Sequence, residues 1–281
     1  MDEFLDRFSY YTIIGKDPNL LKGHIKNVKE HAGFDKLPCE TEFIAIIYAN
    51  SKIPGATTNT LINICQENNV TFHIYNEPTN DFLSNLYACW NLGYEKSQEG
   101  FVFRGGSDQA YNKDSFLKLF EIATRMKRQN SKVFFNAQTI EHSVRAMTGQ
   151  TSRHLLGDFG DNYTNFNLEK FENYCKQINE GVDKEILTID ECLEVWGKPT
   201  PFVSLLGPTN RTEGCSWLMT KSEWLRYGPL PTLERNITGD CVIQDRLVID
   251  GYQDYLVRDC ITYHFFRGEC GNLFGLSETH Q

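Results

Sequence analysis

A chain of 281 residues that is 40% hydrophobic and 13% aromatic buries a substantial core, as one large domain or two small ones. Its formal net charge of −9 argues against a nucleic-acid binder, because phosphate backbones reward clustered Lys and Arg. Nine cysteines scattered without C-x-x-C pairs favour a reducing compartment over a disulfide framework or a thiolate metal site. The acidic opening "MDEFLDRFSYY" lacks the apolar stretch of a signal peptide, and no segment approaches the run of about 18 apolar residues that spans a membrane. A cytoplasmic chain without a transmembrane segment is expected.

In chain order, "YYTII" (10–14) and "FIAIIY" (43–48) read as strands: nearly continuous, β-branched or aromatic, and so buried on both faces. "TFHIY" (71–75), "FVF" (101–103) and "KVFF" (132–135) continue the series. Between them lie helical stripes: Leu20, Leu21, His24, Ile25 and Val28, then Leu61, Ile62 and Cys65, then Phe82, Leu86 and Cys89, and lastly Phe116, Leu117, Phe120 and Ala123. Strand and helix alternate at about thirty residues per unit, the rhythm of a parallel α/β sheet with right-handed crossovers. Ligands of such sheets bind beyond the carboxyl ends of the strands. There the stretch "GFVFRGGSDQAYNKDSF" (100–116) delivers a lone carboxylate, Asp108, on a glycine-softened tip ahead of a polar stretch and a helix.

Residues 137–205 break the rhythm: a loop-rich segment is followed by the helical patterns "LEKFENYCKQI" and "IDECLEVW", with "GKPTPF" (197–202) as a connector. From Cys215 strand and helix resume with "CSWLMT", "KSEWLRYG", a turn at "GPLP", a helix around "DCVIQDRLVIDG", and a strand "DYLVRDC" reaching "ITYHFF". The chain has no G-x-G-x-x-G, G-x-x-x-x-G-K-[ST], H-E-x-x-H or G-x-S-x-G, which weakens dinucleotide, P-loop, zinc-protease and esterase readings.

The order of "IIYANS" (46–51), "CWNLG" (89–93), "FRGGSD" (103–108) and "TGDCVIQDRL" (238–247), followed by Gly251–Tyr252 and His264, resembles the large inverting family of GT-A glycosyltransferases that use nucleotide-sugar donors. The resemblance covers residues 8–136 and 213–268. It implies a GT-A (nucleotide-diphospho-sugar transferase-like) α/β fold with a mostly parallel central sheet flanked by helices. Residues 1–281 would form one such domain, with 8–136 as the nucleotide-sugar half, 137–205 as an irregular, helical insertion and 206–281 as the acceptor and base half. The implied activity is transfer of a sugar from a nucleotide sugar, expected to be a UDP-sugar, to a hydroxyl of a carbohydrate or glycoconjugate, with inversion.

The resemblance also assigns roles. Asn50, Ser51, Asn91, Arg104, Ser107 and Asp108 fall at donor-binding positions, Trp217 on the acceptor side, Asp108 and His264 at a divalent cation (Mn²⁺ or Mg²⁺), and Asp240 at the base. Such residue types are required because a departing nucleoside diphosphate accumulates charge that a cation neutralises, and an inverting transfer needs a base on the acceptor hydroxyl. The sequence departs from the pattern at Gly105 and Ser107, where acids are expected, at Tyr48 and at Gly239. Arg104 beside the tip is an alternative source of positive charge. Each position also has a structural role open to it: a helix N-cap for Asp108 or Asp240, a core histidine at 264, a helix end at Asn91, an Asx turn at Asn50–Ser51, and core filling by Trp217. Two other functions share these features, a sugar-phosphate nucleotidyltransferase and a GT-A-like binding protein that has lost catalysis.

Overall fold

The computed structural model describes residues 5–50, 53–76, 78, 82–129, 132–143, 155–196, 201–204, 207–210, 216–230 and 239–265. At 82, 83, 193, 196, 201–204, 207–210 and 239–241 it describes the backbone alone. The apolar runs of the first half become parallel strands: β1 (Arg7–Ile14), β2 (Glu40–Ala49), β3 (Thr71–Asn76) and β4 (Phe101–Arg104), in the order β3-β2-β1-β4. Their continuous hydrophobicity has a direct cause. Along β1, Phe8, Tyr10 and Ile14 enter one core while Tyr11 and Ile13 enter another on the opposite face. Helices α1 (Pro18–Lys26), α2 (Gly55–Glu67) and α4 (Ser115–Arg128) pack on the first face, and α3 (Phe82–Lys96) on the second. Helix α1 starts where Asp17 accepts from the amides of Asn19 and Leu20 (2.8 and 3.1 Å), with Pro18 in the first turn.

Two departures from the sequence expectation lie around the tip. The polar stretch after Asp108 forms a short strand, β5 (Gln109–Tyr111), and β6 (Val133–His142) runs well past the predicted 132–135. Both are drawn out by β12 (Gln253–His264), which pairs antiparallel with β5 and parallel with β6. A register shift between Val257 and Ile261 bends β12 and lets its last residues continue along β6. The insertion supplies β7 (Leu156–Gly157) beside β6, α5 (Leu168–Ile178), β8 (Ile186–Thr188) beside β12, α6 (Ile189–Trp196) and β9 (Pro201–Ser204), which forms a separate ribbon with β10 (Gly207–Asn210) just beyond it. Its own small core joins Phe159 and Phe171 to Ala110, Ile140 and Tyr263 of the sheet.

Strand β11 (Trp217–Thr220) lies between β4 and β6, antiparallel to both, and so sews the two halves into one mixed sheet ordered β3-β2-β1-β4-β11-β6-β12-β5. Helices α7 (Lys221–Tyr227) and α8 (Gly239–Ile249) follow it and join α3 on the second face. Helix α7 opens with a reciprocal capping box between Thr220 and Glu223. Among the described residues no helix is long and apolar enough to cross a membrane, and the cysteines with described side chains are free thiols.

Candidate active site

The tip after β4 is built by backbone turns around one buried amide. Gly105 N–H donates to the Tyr11 carbonyl (3.0 Å), and Gln109 N–H returns to the Gly106 carbonyl (3.2 Å). The Gln109 side-chain oxygen then accepts from Gly106 N–H (2.8 Å), the Tyr111 hydroxyl (3.2 Å) and the Ser216 hydroxyl (2.5 Å). Sequence reasoning overlooked Gln109. Between Asp108 and Asn112 the triplet "QAY" carries no strand signal that sets Gln109 apart. Gly105, where the family pattern has an acid, cannot carry a side chain here: a Cβ would collide with the hydroxyls of Tyr10 and Tyr111.

Beneath the tip, His24 of α1 is fully buried. Its Nδ1 lies 3.0 Å from the Gln109 carbonyl, which only accepts, so we assign the proton to Nδ1 and the Tyr10 hydroxyl donates to Nε2 (2.7 Å). Burial pushes the His24 pKa down to about 4, outweighing the opposing pull of the Gln109 carbonyl and the Asp108 charge. Tyr163, from the insertion, donates to the same carbonyl (2.5 Å) and ties that segment to the tip.

Asp108 and His264, chosen from sequence 156 positions apart, meet: Asp108 Oδ2 is 3.0 Å from His264 Nε2. The Asp108 carbonyl also accepts from Phe265 N–H (3.0 Å), fixing the tip to the end of β12. The other ring nitrogen of His264, Nδ1, faces Glu141 Oε1 at 3.1 Å. Glu141, a fully buried residue near the end of β6, is the register partner of His264 on β12. It too escaped the sequence reading, because β6 was expected to stop at 135. Ser107 is buried beside Asp108.

The remaining positions have local partners. Arg104, 1% exposed, is stacked between indoles, 4.0 Å from the Trp90 ring centroid and 4.7 Å from that of Trp217. Trp217 is itself fully buried, so its ring faces Arg104 and the core. Asn91 closes a two-way clamp on one residue, donating to the Leu230 carbonyl (3.1 Å) and accepting from Leu230 N–H (2.8 Å). Gly93 in the same motif lies against the Tyr11 ring, where any Cβ would collide, so this glycine lets α3 approach β1. Asn50 at the end of β2 accepts from Ile53 N–H (3.1 Å), an Asx-type turn. Ser51 lies outside the described residues. Asp240 is the second residue of α8, with its side chain outside the description. Further along α8, Asp245 is buried and Arg246 donates to the Tyr227 carbonyl at the end of α7 (2.6 Å).

Among the described residues no group of three His, Cys, Asp or Glu side chains is arranged to hold a metal ion. Asp108 Oδ2 and His264 Nε2 instead contact each other directly at 3.0 Å, and a cation held by both would have to replace that contact.

No protein-family model matches the chain, and no curated protein matches it by sequence. Solved structures do. A mannosyltransferase from Pyrobaculum calidifontis, in complex with GDP-Man and Mn²⁺, superposes with a TM-score of 0.52 at 10% identity over 93% of this chain and 57% of its own. TarS 1–349 of S. aureus gives 0.50 at 11% identity over 98% and 68%. GalNAc-T7 with UDP, GalNAc and Mn²⁺ gives 0.54 at 10% identity over 94% and 44%. The fold is of the GT-A glycosyltransferase type, and the chain spans about half to two thirds of the length of these structures.

Proposed function

We propose that this chain is a nucleotide-sugar glycosyltransferase that passes a sugar to an acceptor hydroxyl, with inversion at the transferred carbon and a UDP-sugar as donor. The observation that carries the reading is the meeting of Asp108 and His264 at the carboxyl end of a GT-A sheet, 3.0 Å apart and supplied by opposite halves of the chain. The nucleotide lies across the ends of β1, β2 and β4, against Asn50 and Ser51 on one side and Ser107 and Asp108 on the other. Asp108 and His264 hold Mn²⁺ or Mg²⁺, which when bound neutralises charge on the leaving diphosphate. Arg104, fixed between two indoles, adds positive potential behind the tip, and Trp217 serves the acceptor side through that guanidinium. Asn91 serves the donor side, where it holds Leu230. Asp240, in the first turn of α8, takes the acceptor proton, with the helix dipole favouring its carboxylate.

Residues 8–136 and 206–268 form one catalytic unit, supported by β11 between β4 and β6, with 137–205 as an insertion. The free thiols support a cytoplasmic setting. The test is a melting-temperature screen of UDP- and GDP-sugars with and without Mn²⁺, followed by transfer to simple sugar acceptors and assignment of the product anomer by NMR. Stabilisation by a UDP-sugar and an inverted anomer are expected. A retained anomer would sink the inverting assignment, and a chain indifferent to every nucleotide sugar would sink the function.

A further inference from the structure

We propose that Gln109 is the positioning residue of the donor turn: it closes the turn that presents Ser107 and Asp108, and Ser216 from the other half of the chain orients it. This rests on the reading of Ser107 and Asp108 as donor-binding residues and names what holds them in place. Gly106 to Gln109 form a four-residue turn with Ser107 and Asp108 at its centre. Gln109 closes it twice. Its backbone N–H donates to the Gly106 carbonyl (3.2 Å), and its side-chain oxygen accepts from Gly106 N–H (2.8 Å). An N–H only donates, so this contact assigns Oε1, not the amide nitrogen, to the Gly106 side. The turn is also tight: a Cβ on Gly106 would meet Asp108 Oδ1 at 2.6 Å and push the carboxylate aside.

The same oxygen is held from two further directions. Tyr111 lies two residues along β5, on the same face, and its hydroxyl donates at 3.2 Å. Asn27, at the end of α1, fixes Tyr111 in turn, accepting from its N–H (2.7 Å) and donating to its carbonyl (3.0 Å). The Ser216 hydroxyl donates at 2.5 Å from the residue before β11, and the Ser216 carbonyl accepts from Ala137 N–H of β6 (3.0 Å). Gln109 and Ser216 are both buried, so water does not compete for these bonds. One side chain thus joins the turn to β5 and to a residue 107 positions away in the chain. A hydrogen-bonded turn needs only the backbone contact. The side-chain oxygen adds a fixed direction for Ser107 and Asp108, and a binding constellation works only when held to within about 0.5 Å.

Two substitutions separate this role from packing. Gln109→Met keeps most of the volume and removes the acceptor. Ser216→Ala removes one donor to that acceptor and touches no part of the turn. UDP and GDP are titrated by calorimetry against wild type, both variants and the double variant, with Mn²⁺ present throughout and melting temperatures recorded beside them. Wild type should bind UDP. In Gln109→Met the buried Gly106 N–H has lost its acceptor, the turn opens to satisfy it, and affinity for the nucleotide that wild type binds should fall by about 10–100-fold. Ser216→Ala should cost about 3–10-fold, the scale of one hydrogen bond, and should add nothing in the Gln109→Met background. Lower melting temperatures with wild-type affinity in the folded variants would mean that Gln109 serves the fold alone, and would overturn the proposal. Should Gln109→Met fail to fold, Ser216→Ala decides by itself, and wild-type affinity there overturns the proposal equally. Additive losses in the double variant overturn the link through Ser216. Wild type that binds neither nucleotide overturns the donor-site reading and this inference with it, whereas binding by wild type and both variants alike overturns the role of Gln109 and leaves the donor site standing.

Discussion

His24 carries a pH signature that follows from its burial. Unfolded, it titrates near 6.5, while burial beneath Gln109 lowers it to about 4. The folded state therefore binds fewer protons than the unfolded one between these values. Its contribution to stability is complete above pH 6.5 and is lost as the pH falls through the window to about 4, by at most about 1.4 kcal/mol per unit. His24→Gln removes that dependence. Urea midpoints at pH 7 and pH 5 should fall more steeply for wild type than for the variant, and parallel curves would mean that His24 is not held neutral. Asp240 poses a different question at the same scale. Asp240→Asn preserves shape and capping capacity but cannot take a proton, so transfer at saturating donor should drop by about 10²–10⁴-fold with melting temperature unchanged. A fully active Asp240→Asn enzyme would reduce Asp240 to a helix cap. Asp245, one turn on but buried, would then be the next carboxylate to substitute.

At the scale of elements, the Asn91–Leu230 clamp joins α3 to the segment that follows α7 and leads towards α8. Asn91→Ala leaves both the N–H and the carbonyl of Leu230 without this partner, at a cost of about 1–3 kcal/mol. The Leu230 amide should exchange with solvent much faster in the variant, while amides of β1 keep their protection. Unaltered exchange at Leu230 would show that the segment is held by other contacts. The same scale explains what was legible in the sequence. Strands β1, β2 and β4 announced themselves because a strand buried on both faces is apolar nearly throughout, β3 by its β-branched and aromatic residues although it is a half-exposed edge strand, and α1 to α4 because one stripe of each faces the sheet. β5 and the far half of β6 were hidden because polar residues interrupt them: Gln109 bonds to Gly106, Tyr111 and Ser216, and Glu141 faces His264 of β12, contacts that only the folded sheet creates. Asp108 and His264 were legible as chemistry, yet the residues in contact with them were not, since Glu141 in "TIEH" reads like any strand exit. The clamp made by Asn91 was concealed for the same reason, its partner being a backbone 139 positions away.

For the whole molecule, the decisive feature is β11. Had the halves been separate domains, residues 8–136 and 206–268 would unfold independently, and a nucleotide bound to the first would stabilise the first alone. Instead β11 pairs with β4 through Trp217–Thr220 and with β6 through Trp217 and Leu218, so no edge separates the halves. Core residues agree: Val102 of β4, Phe134 of β6, Trp217 of β11 and Ile243 of α8 belong to one cluster. Unfolding should therefore be a single transition. Bound UDP-sugar with Mn²⁺ at about 100 times the dissociation constant adds about 2.7 kcal/mol, and that increment should move the entire transition. Differential scanning calorimetry checks this directly, with tryptophan fluorescence as a second probe, because Trp90, Trp217 and Trp224 lie together in or against that cluster. Coincident curves that shift together on adding ligand are expected. Two transitions, of which the ligand moves only one, would divide the chain at β11 and require the donor half to function as a domain of its own.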